Sequence, residues 1–271
     1  MIIDFHTHVF PEKIAYSTIK SLEEKSSGKA YTDGTVDGML KALERANADI
    51  AVALPVLTKP TQFDSVAKFA SFVNENYSNG DRRIISFAGI HPACEDIKGK
   101  MRYLKDSGIK GVKIHPDYQK TYIDDDGYLE ILKCAKDLDL IVVTHAGIDD
   151  GYKDCPVMCP PERVKKVIDK IGHKKFVLGH YGGHKQWQKV LDILSGLDVF
   201  FDTAFTFHEI EENLFKNILY KHGEDKILFA TDCPWRDIKD DLAIFNSYNL
   251  SNETKDKILY KNALKLLGIG D

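Results

Sequence analysis

Ten histidines stand in this 271-residue chain, and several sit where their chemistry can be pooled. His6 and His8 are two residues apart, so on an extended strand both side chains face the same side. Two imidazoles on one face can chelate a single cation. Lys113 and His115 repeat that spacing. His145, His180 and Asp232 each close a short apolar run. Singly these residues are ordinary, since a strand-end histidine usually packs and an aspartate before a turn usually caps a helix. Jointly, four histidine-bearing run ends and an aspartate on the last run point to a cation site.

The elements that must position them follow from the hydrophobic pattern. The apolar runs are Ile2 to His6, Ile50 to Val56, Ile84 to Ile90, Gly111 to His115, Leu140 to His145, Phe176 to His180, Val199 to Asp202 and Ile227 to Asp232. They are short and rich in β-branched or aromatic residues, as buried parallel strands are. Helical periodicity lies between them, at Val36 to Ala46 and Tyr128 to Leu138. Pro160 and Pro161 open a helix over Glu162 to Ile171, and Asn252 to Leu267 reads as a closing helix. Eight strands alternating with helices fit a single-domain (β/α)₈ TIM barrel over 1–271, distorted, with the site at the C-terminal ends of the strands. An open doubly wound sheet alternates in the same way. No Gly-x-Gly-x-x-Gly or Walker loop follows a strand, which weakens a nucleotide-binding reading.

Composition narrows the function classes. Thirty-seven basic against 41 acidic residues give a net charge of −4, without the basic excess of a nucleic-acid binder. No uninterrupted apolar stretch is long enough for a transmembrane helix, and the start, Met-Ile-Ile-Asp-Phe-His, lacks the features of a signal peptide. The five cysteines, 94, 134, 155, 159 and 233, are odd in number and scattered, which favours a reducing compartment. The expectation is a cytoplasmic enzyme with a small-molecule substrate, no nucleic-acid partner and no membrane partner.

The chain resembles the amidohydrolase superfamily, in its amidohydrolase-related branch of metal-dependent hydrolases and nonoxidative decarboxylases. The resemblance rests on Asp4-Phe-His6-Thr-His8, Gly111-Val-Lys113-Ile-His115-Pro, Val143-Thr-His145-Ala-Gly147, Leu178-Gly-His180-Tyr-Gly-Gly183 and Ala230-Thr-Asp232-Cys-Pro234. It implies one divalent metal held by His6, His8, His145 and Asp232. Beside it, His180 would act as an acid/base or carbonyl-polarising group. Imidazoles and one carboxylate suit zinc, with manganese, iron or cobalt as alternatives. Asp232 would take a proton from a metal-activated water and return it to a leaving group. Lys113, at a position where two-metal members carry a bridging carbamate or a glutamate, would bind a substrate carboxylate; a structural ion pair is the alternative. His115 and Trp235 are further substrate-binding candidates. Members of the superfamily often dimerise, which keeps a homodimer open.

The expected reaction is hydrolysis of a small-molecule C–N or C–O bond, with decarboxylation of an unsaturated or aromatic acid as the alternative. A phosphoesterase or deoxyribonuclease is disfavoured because Lys113 stands where that branch puts a glutamate. A noncatalytic binding barrel has no use for an open coordination position. Asp4 shares parity with His6 and would point inward, orienting a ligand histidine or packing. His91 would either reach the same mouth or pack as a turn residue at the barrel rim, and His184 would open the next helix rather than bind metal. His173, His208 and His222 read as surface or rim residues. Cys155 and Cys159 read as free thiols, and Cys233 as turn packing. The segments Val9 to Gly34 and Ala146 to Pro160 would set substrate choice, as loops on that face do.

Overall fold

The computed structural model describes residues 1–26, 28–152 and 155–270. Nine parallel strands follow in chain order: β1 (Ile3–Thr7), β2 (Ile50–Ala53), β3 (Arg83–Ser86), β4 (Ala88–Gly89), β5 (Gly111–Ile114), β6 (Ile141–Thr144), β7 (Phe176–Leu178), β8 (Phe200–Asp202) and β9 (Ile227–Leu228). They pair as β1-β2-β3 and as β4 through β9 in sequence order. The third apolar run accounts for both β3 and β4, which are separated by Phe87 alone. Asn74 brackets Ser86 there: its Oδ1 accepts from the Ser86 N–H at 2.7 Å and its Nδ2 donates to the Ser86 carbonyl at 2.9 Å. The ring closes between the last and first strands. Phe5 N donates to Phe229 O at 2.9 Å, Asp232 N to His6 O at 2.9 Å, and His8 N to Cys233 O at 2.7 Å. The architecture is a (β/α)₈ TIM barrel, with the third strand bent.

Alternation along the strands builds two apolar layers. Ile50, Val52, Ile141, Val143, Val177 and Leu228 belong to the barrel interior, where Ala263, Leu266 and Leu267 of the last helix also pack. Ala51, Val112, Ile114, Val142 and Phe201 face the surrounding helices. Inward parity is therefore shared by Lys113, His145, Asp202 and Asp232. β1 obeys the rule only after a correction. Ile3 and Phe5 face inward, yet the register with β2 shifts between Asp4 and Thr7. A bulge there inserts one residue and re-aims the chain. It turns His6 inward beside His8 and leaves Asp4 outward.

Helices begin and end where the chain directs. Val36–Ala46 is capped by Thr35, whose side chain accepts from Gly38 N, and ends at Asn47 in the left-handed region. Pro161–Ile171 starts on proline and stops at Gly172. The closing helix runs from Asn252 to Leu267, with a π-turn over Lys257–Lys261 in the middle.

Candidate metal centre

The strand ends deliver their polar residues to the floor of one cavity of about 600 Å³. The bulge of β1 brings His6 and His8 together, with ring centroids 5.3 Å apart. Asp232 meets them from beyond β9, its Oδ1 at 2.9 Å from His8 Nε2 and 3.6 Å from His6 Nε2. His6, His8 and Asp232 each offer a donor atom within 4.8 Å of the others.

The second ring nitrogens fix which atoms are free. His6 Nδ1 donates to Asp202 Oδ2 at 2.9 Å, so its Nε2 carries the lone pair. That lone pair faces Lys113 Nζ at 2.8 Å. His8 Nδ1 donates to Leu54 O at 3.0 Å, so a neutral ring presents a lone pair to the Asp232 carboxylate. Two acceptors at that separation need a cation between them, a proton or a metal. Metal-binding histidines have this arrangement, with the outer nitrogen tied to a carboxylate or carbonyl. The donor set fits a divalent metal.

His145 and His180 form a separate pair. His180 Nδ1 donates to Ala204 O at 3.1 Å, so its Nε2 accepts from His145 Nδ1 at 2.9 Å. His145 Nε2 is then a buried lone pair without a hydrogen-bond partner, 4.0 Å from Asp117 Oδ2. The structure thus brings His6, His8 and Asp232 to one point and directs the nitrogens of His145 elsewhere. His180 lies beside both groups, 5.3 Å from His6 between ring centroids. His115 stacks on His145 at 4.3 Å, and its Nε2 lies 3.4 Å from Asp149 Oδ2. Trp235 is half-buried in the cavity wall.

Burial dominates the electrostatics. It drives His6, His115, His145 and His180 well below the usual histidine range, so they are neutral. Burial also lowers Lys113 to about 8, against the pull of Asp202 and Asp232. It would raise Asp232, but the close contact with His8 Nε2 and the nearby imidazoles hold that carboxyl at about 2. Asp149 is pushed up to about 7 and Asp117 to about 6, again mainly by burial. Of the aspartates that line the cavity, Asp232 and Asp150 are therefore held ionised, while Asp149 titrates near neutral pH.

Strain concentrates at the same place. His180, Tyr181 and Asp232 have φ of 57°, 58° and 72°, in the left-handed region that non-glycine residues avoid. Asp202 supports the first of these turns, its Oδ1 accepting from His180 N at 3.1 Å. Gly179 allows the close approach, because a Cβ there would lie 2.9 Å from Thr144 O and 3.4 Å from His6 Cε1.

Several residues depart from the sequence-based expectation. Asp4 does not meet the His6 ring; its carboxylate accepts from His6 N at 3.2 Å and Thr231 N at 3.0 Å and pairs with Thr231 Oγ1, while Asp202 binds the ring nitrogen. His184 does not open a helix. It is buried and lines the cavity, paired by its backbone with Gly147. His173 and His222 are buried packing groups bonded to Leu140 O and Val199 O. His91 is a turn residue whose Nδ1 accepts from Ala93 N at 3.1 Å. The five cysteines are free, with Cys159 buried against Thr144 and Cys155 exposed. Asp202 had a legible signal, since it ends an apolar run at inward parity. Asp149 lies in an irregular segment and Asp117 in the one-turn helix Pro116–Gln119, and neither had one. The segments Val9 to Gly34 and Ala146 to Pro160 line the cavity in part, and their residues 27, 153 and 154 lie outside the described ones. Among the described residues no helix is long and apolar enough to cross a membrane.

Comparison with known proteins places this geometry. A family model described as Amidohydrolase matches residues 3–269. No curated protein matches. Among solved structures, an uncharacterised TIM-barrel protein from Bordetella bronchiseptica is similar over 98% of both chains, at 15% identity and a TM-score of 0.76. A dihydroxybenzoic acid decarboxylase from a Polaromonas species, with bound manganese and the inhibitor 2-nitroresorcinol, is similar at 17% identity and a TM-score of 0.70, over 98% of this chain and 96% of that one. A 5-carboxyvanillate decarboxylase from Sphingomonas paucimobilis is similar over 99% of both chains, at 13% identity and a TM-score of 0.69. At these identities the likeness is one of fold.

Proposed function

We propose that this chain, which belongs to the amidohydrolase family, is a metal-dependent decarboxylase of a small aromatic or unsaturated carboxylic acid. The observation that carries the reading is the company kept by the donor set. His6, His8 and Asp232 share a cavity with Asp149, a half-buried carboxyl whose pKa desolvation pushes up to about 7. Decarboxylation needs such a group, because the carbon that loses carbon dioxide must receive a proton. The aromatic lining suits an unsaturated substrate, with Phe10, Tyr118, Tyr152 and Trp235 among its residues. Two of the similar folds are decarboxylases by name, one with manganese bound, and this adds support.

His6, His8 and Asp232 would hold a divalent metal, for which zinc, manganese and iron all suit the donors. When bound, that ion supplies a Lewis acid for the oxygens of the substrate. Asp202 keeps His6 in the productive tautomer. Lys113 stands beside the floor as a cation for the carboxylate. Asp149, in reach of His115, delivers the proton. His145 and His180 pass charge along their mutual hydrogen bond and hold the neighbouring wall. Carbon dioxide departs as its carbon–carbon bond breaks, and that electron pair takes the proton from Asp149.

Hydrolysis of a C–N or C–O bond is a second reading, and one observation favours it. His115, His145 and Asp149 form a second group whose ligand atoms lie within 4.8 Å of one another, and Lys113 approaches His6 at 2.8 Å beside it. A carbamate on Lys113, formed by attack of its amine on carbon dioxide with loss of a proton, would supply a further oxygen donor to a second ion. Incubating the metal-loaded protein with panels of aromatic acids and of amides or lactones separates the readings. Carbon dioxide release with a solvent-derived hydrogen on the product ring supports decarboxylation. Incorporation of solvent oxygen with no carbon dioxide overturns it.

A further inference from the structure

The cavity does not end at the barrel mouth. It runs on between the helices Glu12–Ser26 and Phe63–Tyr77. Ile14, Thr18, Leu22 and Lys25 line it, and steps of four, four and three put them on one face of the first helix. The adjoining face carries the buried residues of that helix, Ala15 and Ile19. Val66 and Phe69 of the second helix supply the opposite wall.

Ile14 and Leu22 are the apolar part of the first wall, beside Thr18 and Lys25, and they are not part of the core. Ile14 is 48% exposed, and neither Ile14 nor Leu22 joins either core cluster. Apolar side chains facing one another across a solvent-filled groove leave hydration cost unrelieved, and such surfaces mark binding sites. The groove is continuous with the floor formed by His6, His8 and Asp232. A ligand anchored at that floor and longer than one ring must enter it.

We propose that this groove takes the apolar arm of the substrate, so that the substrate class is an acid bearing an elongated alkyl or aryl extension. The inference rests on the reading that the floor holds the acid head. The arm lies against Ile14 and Leu22 on one side and Val66 and Phe69 on the other. The head sets the chemistry, and the arm sets the selection.

The test is calorimetric titration of manganese-loaded protein with benzoate, 4-butylbenzoate and 4-hexylbenzoate. It is run on the wild type, on the double variant Ile14→Ser/Leu22→Ser and on Asp232→Asn. Both groove positions are outside the core, so the fold is retained, which circular dichroism checks. Each methylene that enters the groove tightens binding about fourfold. The double variant loses that gain and keeps the affinity for benzoate. Equal binding of the three acids, or a gain that survives in the double variant, overturns the inference while the head-group reading stands. Benzoate affinity unchanged in Asp232→Asn defeats the head-group reading instead, and an alkyl gain confined to the intact groove still supports an apolar site there. A dimer in sedimentation that the double variant dissociates would assign the groove to a second copy of the chain and overturn the proposal.

Discussion

At His6 one ring nitrogen is committed to Asp202, and the other is thereby left with a lone pair aimed into the cavity. The donor set depends on that commitment as much as on the histidine itself. Asp202→Asn should weaken metal binding by about 10- to 100-fold, measured by competition with a chromogenic chelator. Undiminished affinity would show that the ring is held by other means. Asp149 carries a different burden. Its folded pKa is about 7, so the protonated acid is present below that pH and is lost above it. The rate of carbon protonation should therefore fall as pH rises through about 7. Asp149→Asn should remove that limb and slow turnover at least about 100-fold, read from kcat/KM against pH. A profile unchanged in the variant would remove Asp149 from the reaction. The residues with regular spacing, His6, His8, Lys113 and His145, were legible because alternation and strand ends are printed in the sequence. Asp149 was not, because its position depends on irregular chain that only tertiary contacts fix, nor was Asp117, because the single helical turn Pro116–Gln119 is too short to show periodicity. The pairing of His145 with His180 was not either, since a ring's orientation has no sequence signature.

Elements place these residues with errors that have physical causes. Alternation alone puts Asp4 and His6 on one side, but the bulge in β1 separates them, and a bulge without glycine leaves no mark in composition. The third apolar run looks like one strand, yet Asn74, some ten residues upstream, takes over the backbone of Ser86 and the strand bends at Phe87. Proline and helical periodicity, being local, located the helices Val36–Ala46 and Pro161–Ile171 closely. The loop after β6 is held by its pairing with His184: His184 N donates to Ala146 O at 2.9 Å and Ile148 N to His184 O at 3.0 Å. Gly147 sits between at φ 86°, where a Cβ would fall 2.2 Å from His184 N. Gly147→Ala should cost about 2 kcal/mol or more in urea unfolding, and it should displace Asp149 enough to reduce turnover. Full stability and activity in that variant would mean that the pairing is dispensable.

On the scale of the whole molecule, the barrel converts eight separate apolar runs into one ring whose C-terminal rim pools their polar ends. The count and order of those runs were legible, and the closure was an inference from them; hydrogen bonds from Phe5, His8 and Asp232 now supply it. Substrate choice was not legible, because it is set where the segments after the first and fifth apolar runs meet. Stability also has a whole-molecule handle. Asp241 is fully buried, its Oδ1 lies 3.0 Å from His208 Nε2 without hydrogen-bond geometry, its Oδ2 has no hydrogen-bond partner, and burial raises its pKa to about 8. The folded state then holds a proton that the unfolded chain has released, so stability falls as pH rises from about 4 to about 8. Asp241→Asn should flatten that slope and raise the melting temperature at pH 8; an unaltered slope would show that another group dominates. The most direct test of the account is bound metal per chain, by elemental analysis, in the wild type, His6→Ala and Asp232→Asn. At least one equivalent of a divalent transition metal in the wild type, sharply reduced in both variants, is the expected result. A wild-type protein that takes up no zinc, manganese or iron on reconstitution would contradict it.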